Sequence, residues 1–368
     1  MILSRKMRNK YIGIMSGTSL DGVDVALCEI DDEVCLLKAS YYLEFDLDLK
    51  EEVLRVINGT TTIQEIGTVD CKLAYLFARA VNELLENSNY KKEEIRAIGS
   101  HGQTLWHEPH GKFPFSLQLG NPSVLAVETG IDVVADFRSK DVALGGQGAP
   151  FAPAFHNFLF SHLKNCAVLN IGGMANISIL GDKLLGYDTG CGNVLMDLWI
   201  KEHQNVAYDK DGAWAKSGEV NQELLSNFLN DEYFLLKFPK STGREYFNKK
   251  FLIKYLEAFD KICNKDVQAT LLALTASSIA NEIRQFNIKE LLVCGGGVRN
   301  IFLMEQLREA LPKIKVSSTE KYGISADNME AMIFAWLAHN RLENEIVDLK
   351  TVTAAKKNII LGAIYASD

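Results

Sequence analysis

The sequence predicts an α/β protein built in two halves. Three observations predict it. A strand, Gly-rich turn, strand pattern over 11–27 recurs over 167–180. Strand, loop and helix patterns alternate along the whole chain. A short apolar run, 291–294, opens into Gly295-Gly296-Gly297 ahead of a helix. At 368 residues the chain is long enough for two domains.

The elements follow in order. Residues 11–45 read as a strand meander whose first turn holds Gly17, Thr18, Ser19, Leu20, Asp21 and Gly22, followed by Val23 and Asp24. Glycines let the backbone turn sharply and approach a ligand. Free N–H groups in such a turn form a nest for phosphate oxygens. Asp21 and Asp24 suit a divalent cation, directly or through water. An ordinary Asp-Gly hairpin accounts for the same residues. Leu73, Leu76, Phe77, Ala80, Val81 and Leu84 are spaced for a helix over Glu65–Asn87. Ile95–Gly99 is a short strand entering Ser100-His101-Gly102-Gln103-Thr104, and 131–136 is another, entering Asp136-Phe137-Arg138 and the loop 145–150. The second hairpin turns at Gly172-Gly173. A further strand leads into Asp188-Thr189-Gly190, with a helix over Val194–Glu202. Asp266–Phe286 reads as a long amphipathic helix and Ser325–Asn340 as the last strong one, and 359–364 returns to the first half. The expected division is 1–125 with 341–368, and 126–340.

Composition narrows the function. Apolar content of 47% and charged content of 23% are ordinary for a globular protein. A net charge of −8 argues against nucleic acid as a main partner. Seven scattered cysteines with no C-x-x-C pair suggest free thiols in a reducing cytosol. The basic start, Arg5, Lys6, Arg8 and Lys10, leads into no uninterrupted apolar stretch, so no signal peptide is read there. No apolar run approaches the roughly 20 residues that span a bilayer. There is no P-loop, no dinucleotide fingerprint and no protein-kinase motif set.

Two Gly-rich hairpins and a later Gly run resemble the sugar kinase/Hsp70/actin superfamily. The match is closer still to the anhydro-N-acetylmuramic acid kinases. Gly13 to Asp24, Ser100 to Thr104, Asp136-Phe137-Arg138, Gly145 to Pro150, Asn170 to Gly173, Asp188-Thr189-Gly190 with Gly192-Asn193, and Cys294 to Gly297 resemble that family's motifs, in its order. Cys191 departs from the proline expected there and touches no acid–base group. The resemblance implies two RNase H-like domains with ATP and sugar held in an interdomain cleft. It also implies a cytoplasmic enzyme, a homodimer, and the use of ATP with Mg²⁺ on 1,6-anhydro-N-acetylmuramic acid. Water opens the anhydro bridge at C1 and the freed O6 takes the γ-phosphoryl group, a step of peptidoglycan recycling.

That chemistry assigns parts. Asp188 is the candidate base for water; by position alone it is also a turn Asp near a helix start. The nucleotide set is 17–24, Gly172, Gly173, Gly295, Gly296, Gly297, Asn300 and Glu330, with Asp21 and Asp24 also serving the metal. Read alone, Glu330 is a solvated helix glutamate. His101, Arg138, Asp141 and Gln147 are candidate sugar contacts, because hydroxyls and an acetamide need donors and acceptors. Arg138 is a candidate cation for the lactyl carboxylate, an interdomain salt bridge being the other reading. Zinc is not expected at His101, His107, Glu108 and His110, since Pro109 breaks a helical His-x-x-His face. Two other functions fit parts of this pattern: another small-molecule kinase of the superfamily, differing around 100–150, or a non-enzymatic ATP switch.

Overall fold

Two sheets organise the chain in a computed structural model that describes residues 9–17, 20–59, 61–181, 183–259 and 261–368. The chain divides into two units. Unit 1 runs to Leu159 and resumes at Asn328; unit 2 is Phe160–Asp327. Thr18 and Ser19 of the first hairpin, and Arg5, Lys6 and Arg8 of the basic start, lie outside the described residues.

Unit 1 begins with the expected meander. β1 (Asn9–Ser16) pairs antiparallel with β2 (Gly22–Ile30), and β2 with β3 (Cys35–Glu44). β4 (Ile95–Ser100) lies parallel to β1. β5 (Gln103–Glu108) and β6 (Phe115–Leu119) form a separate two-stranded ribbon. β7 (Val133–Ala135) lies parallel to β4. In unit 2, β8 (Cys166–Ile171), β9 (Met174–Ile179) and β10 (Leu185–Cys191) form a second antiparallel meander. β11 (Glu290–Cys294) is parallel to β8, and β12 (Lys315–Ser318) parallel to β11. The last strand, β13 (Ala363–Tyr365), returns to unit 1 beside β7.

The sheet orders are β13-β7-β4-β1-β2-β3 and β10-β9-β8-β11-β12. Leaving out β13, both are one topology: a three-stranded meander whose first strand is joined by two parallel strands. Two RNase H-like domains require this repetition.

Helix positions follow from caps and packing. The first long helix is Ile63–Asn87, two residues longer than its apolar spacing implies. Its Thr62–Glu65 capping box sets the start: Glu65 N donates to Thr62 Oγ1 at 3.2 Å and Thr62 N to Glu65 Oε2 at 2.8 Å. The six apolar residues singled out by spacing are all buried. The helix Asn264–Ile283 is not amphipathic as expected; Gln268, Thr270, Thr275 and Ser278 are buried beside its leucines, because other elements cover it on several sides. The last strong helix is Met329–Glu343, starting later than the expected Ser325. It lies directly on β1 and β4. A Cβ on Gly13 would fall 1.8 Å from the Ala331 carbonyl oxygen, and one on Gly99 1.9 Å from that of Phe334. Both glycines therefore serve backbone-to-backbone packing.

The unit boundaries fall near 159/160 and 327/328, where 125/126 and 340/341 were expected. Two elements account for the difference: β7 completes the first sheet between β4 and β13, and the Met329–Glu343 helix packs on β1 and β4, so both belong to unit 1.

Candidate functional site

In unit 2, Asp188 lies inside β10 rather than after a strand as expected. The register shifts between Asp188 and Gly190, so a bulge re-aims the chain there. Gly190, at φ +147°, permits the bulge. A loop held by Lys240 clamps the residue: Asp188 N donates to Lys240 O at 3.0 Å. Thr242 N and Ser241 Oγ donate to Asp188 Oδ2 at 2.9 and 3.1 Å, and Tyr233 OH to its carbonyl at 2.8 Å. Among the described residues no hydrogen bond reaches Oδ1. Burial pushes the Asp188 carboxyl above its usual range, against the two bonds on Oδ2, which pull it down.

The second hairpin is locked to the helix Val194–Gln204. Gly192 N and Val194 N donate to Gly173 O, and Asn193 N to Gly172 O, at 2.9, 3.1 and 2.8 Å. A Cβ on Gly192 would strike Gly172 O at 2.4 Å, so only glycine allows this approach. Gly295, at φ +80°, starts the later Gly run, and a Cβ there would meet Asn170 Oδ1 at 2.2 Å. A Cβ on Gly296 would meet nothing within 4 Å, which leaves that backbone open to a ligand. A cleft of about 370 Å³ opens beside it, bordered by Asn193, Asp197, Lys210, Gly296, Arg299 and Asn300. Asn300 also caps the following helix, accepting from Leu303 N at 2.9 Å.

In unit 1 the first hairpin turns between Ser16 and Val23. Leu20 is buried at φ +52° and its N–H donates to Gly17 O at 3.3 Å. Asp21 is exposed and pairs with Lys50 at 3.0 Å. Asp24 lies opposite Tyr42 across β2 and β3. Burial, then the charges of Asp21 and Asp24, raise the Tyr42 hydroxyl pKa. The two carboxylates thus bear on one phenol, over Gly22, where a Cβ would lie 2.4 Å from the ring. Val23 is buried. Glu330 is exposed in the first turn of the Met329 helix.

The candidate sugar contacts separate into two kinds. Arg138 Nη2 lies 2.8 Å from His101 Nε2, and Nη1 donates to Gly148 O at 2.9 Å. Burial, then the Arg138 charge, holds the His101 pKa down at about 3, so the imidazole is neutral. Arg138 makes no ion pair among the described residues, and its buried Nε has no partner. Asp141 is buried and both oxygens are engaged: Oδ2 accepts from Gly148 N at 2.7 Å and Oδ1 from Thr353 Oγ1 at 2.8 Å. Its carboxylate holds the 145–150 loop, while the Gln147 side chain is exposed on that loop.

The sequence is similar to proteins of known activity over nearly its whole length. The family model for anhydro-N-acetylmuramic acid kinase matches residues 9–367. A Sulfurovum sp. (strain NBC37-1) protein of that name is 59% identical over 97% of this chain and 99% of its own. A Sulfurimonas denitrificans relative of the same name is 55% identical, covering 98% and 100%. One from Aliivibrio fischeri is 48% identical over the same shares. The chain belongs to the anhydro-N-acetylmuramic acid kinase family.

Within this anhydro-N-acetylmuramic acid kinase chain, sequence reasoning missed the residues around Asp188. Ser241, Thr242, Lys240, Tyr233 and Arg244 were not singled out. Their only local signal is the polar run Lys240-Ser241-Thr242-Gly243-Arg244-Glu245 between aromatic residues. Asp197 and Lys210, which border the cleft, were missed as well.

Proposed function

We propose that this chain is an ATP-dependent kinase that hydrolytically opens 1,6-anhydro-N-acetylmuramic acid and phosphorylates O6. Family membership supports the reaction. The observation that carries it to particular atoms is the Asp188 carboxylate, with both its hydrogen bonds on Oδ2. Oδ1 takes a proton from water as its oxygen adds to C1. The C1–O6 bond breaks, and O6 attacks the γ-phosphorus, releasing ADP. A burial-raised pKa suits a general base, provided the group is ionised at working pH.

The cleft beside Gly296 takes the adenosine, and the Gly172–Gly173 turn faces the phosphates. Gly17, Leu20, Gly22 and the turn containing Thr18 and Ser19 serve the phosphates from the first hairpin, with Glu330 nearby in role. Mg²⁺ keeps several waters and takes one or two carboxylates plus substrate phosphates. Asp21 on the turn and Asp24 in the adjoining β2 fit that demand. Held there, the ion would offset charge on the transferring phosphoryl group. Arg138 receives the lactyl carboxylate, since its neighbours are a neutral imidazole and a carbonyl. Gln147 and His101 serve the sugar, and Asp141 keeps their loop in place. The enzyme is cytoplasmic and works as a homodimer.

Turnover in ¹⁸O-labelled water tests the reading. The label is expected at C1 of N-acetylmuramic acid 6-phosphate. Label on phosphate, or ATP hydrolysis independent of the anhydro sugar, would replace the kinase with an ATPase.

A further inference from the structure

We propose that Arg244 contacts the polyphosphate of the nucleotide and supplies the cation that the glycine turn at Gly172–Gly173 lacks. The proposal rests on the ATP reading above.

The geometry begins at Gly173. A Cβ built there would lie 3.8 Å from Arg244 Nη2 and 3.9 Å from Nε. The guanidinium therefore lies over a turn that has no side chains of its own. The turn's carbonyls are engaged elsewhere: Gly172 O accepts from Asn193, and Gly173 O from Gly192 and Val194. None of them neutralises the guanidinium. Arg244 is exposed and makes no ion pair or hydrogen bond among the described residues. The acid that feels its charge is Asp197. Asp197 borders the cleft together with Asn193, Gly296 and Asn300. Asn193 belongs to both places, since its N–H holds the turn and its side chain borders the cleft. A nucleotide with its adenosine in this cleft would lead its phosphates along the start of the Val194 helix, past Gly173 and under Arg244.

The chemistry fits. Backbone N–H groups orient phosphate oxygens but carry only partial charge. A guanidinium offers a planar fork of donors and a full charge, matched to phosphate oxygens. Cations placed where charge develops lower the barrier to phosphoryl transfer. Arg244 is also two residues from Thr242, whose N–H holds Asp188. One loop would then carry a phosphate cation and position the base. The competing role is a purely structural partner of Asp197.

Binding of ATP, ADP and adenosine to the full-length protein, with Mg²⁺, separates these roles. Arg244→Ala should weaken ATP about tenfold or more and leave adenosine unchanged, with Arg244→Lys between. Arg244→Gln, which keeps much of the side chain's length, should repeat the pattern if the alanine variant fails to fold. Added guanidinium should restore part of the lost kcat in Arg244→Ala. An unchanged ATP affinity overturns the proposal. So does equal weakening of adenosine, or an Asp197→Asn variant that reproduces the arginine variants. Wild-type protein that binds no adenine nucleotide overturns the ATP reading itself, a result distinct from normal wild-type binding that Arg244→Ala leaves untouched.

Discussion

Lys240 and Glu282 form an ion pair of 2.7 Å in the interior of unit 2, and the carbonyl of Lys240 accepts the amide of Asp188 at 3.0 Å. Both side chains are almost fully buried, at 2% and 7% exposure. Tyr187 OH and Gln285 Nε2 also donate to Glu282 Oε2, at 3.1 and 2.9 Å. A buried pair this well bonded is costly to break and contributes little net stability over an apolar substitute. Its consequence here is positional: it pins the start of the loop that carries Ser241 and Thr242.

Breaking the pair should therefore separate stability from rate. Lys240→Met leaves a buried carboxylate unpaired and should cost about 3–5 kcal/mol. Lys240→Met with Glu282→Leu should recover most of the melting temperature. The double variant should still show a reduced kcat, because the loop has lost its anchor. A double variant with full activity would mean that the loop is held by its backbone alone.

The Asp188 carboxyl titrates above the usual range, and the Ser241 hydroxyl stabilises its charged form. Ser241→Ala removes that bond, so the pKa rises further. The base works only when ionised, so the acid limb of kcat/KM should move to higher pH. Asp188→Asn should lower kcat by roughly 10²–10⁴-fold with sugar binding nearly kept. An acid limb that moves to lower pH, or does not move, would show that another group limits the rate.

Gly13 and Gly17 of the opening motif have different tasks. Gly13→Ala drives a Cβ into the Ala331 carbonyl and should destabilise by about 3 kcal/mol. Gly17→Val lies on the turn and should keep the fold while ATP affinity falls steeply. Excess chelator should abolish turnover of the wild type. A Gly17→Val protein with wild-type ATP affinity would reduce this loop to an ordinary hairpin turn.

Arg138→Lys keeps the charge and loses the planar fork that reaches His101 and Gly148. KM for the anhydro sugar should rise about tenfold, with KM for ATP unchanged. On an anhydro sugar without the lactyl group, wild type and variant should converge. An equal defect on both sugars would assign Arg138 to holding the 145–150 loop.

Local patterns were legible in the sequence, and long-range partners were not. Both hairpins, the Ile63 helix and the strand into Gly295 carry their own periodicity, turn residues or caps, so each could be read without knowing its neighbours. Asp188 stood out because glycines follow it closely. Ser241 meets it from 53 positions away, and no local pattern records that meeting. The strand at 131–136 is legible in the sequence, but only its pairing with β4 and β13 assigns it to the first sheet. Asp141 reads as a candidate sugar contact because a carboxylate can accept from sugar hydroxyls. Its burial against Gly148 and Thr353 is a tertiary fact.

Asp197 gives a pH-dependent prediction of stability. Burial raises its pKa to about 7, the Arg244 charge working against that rise and Asp209 adding to it. The net shift already contains the attraction to Arg244. The folded carboxyl thus holds its proton more tightly than the unfolded one, whose pKa is about 3.9. Its contribution to stability is fully present below about pH 4 and is lost as pH rises through about 7. Asp197→Asn cannot ionise and escapes that loss. Its melting temperature should exceed wild type by a few degrees, on the order of 2–4 °C, at pH 8. The gap should close as pH falls toward 4.5. A gap independent of pH, or one that widens in acid, would show that Asp197 is ionised in the folded protein across this range.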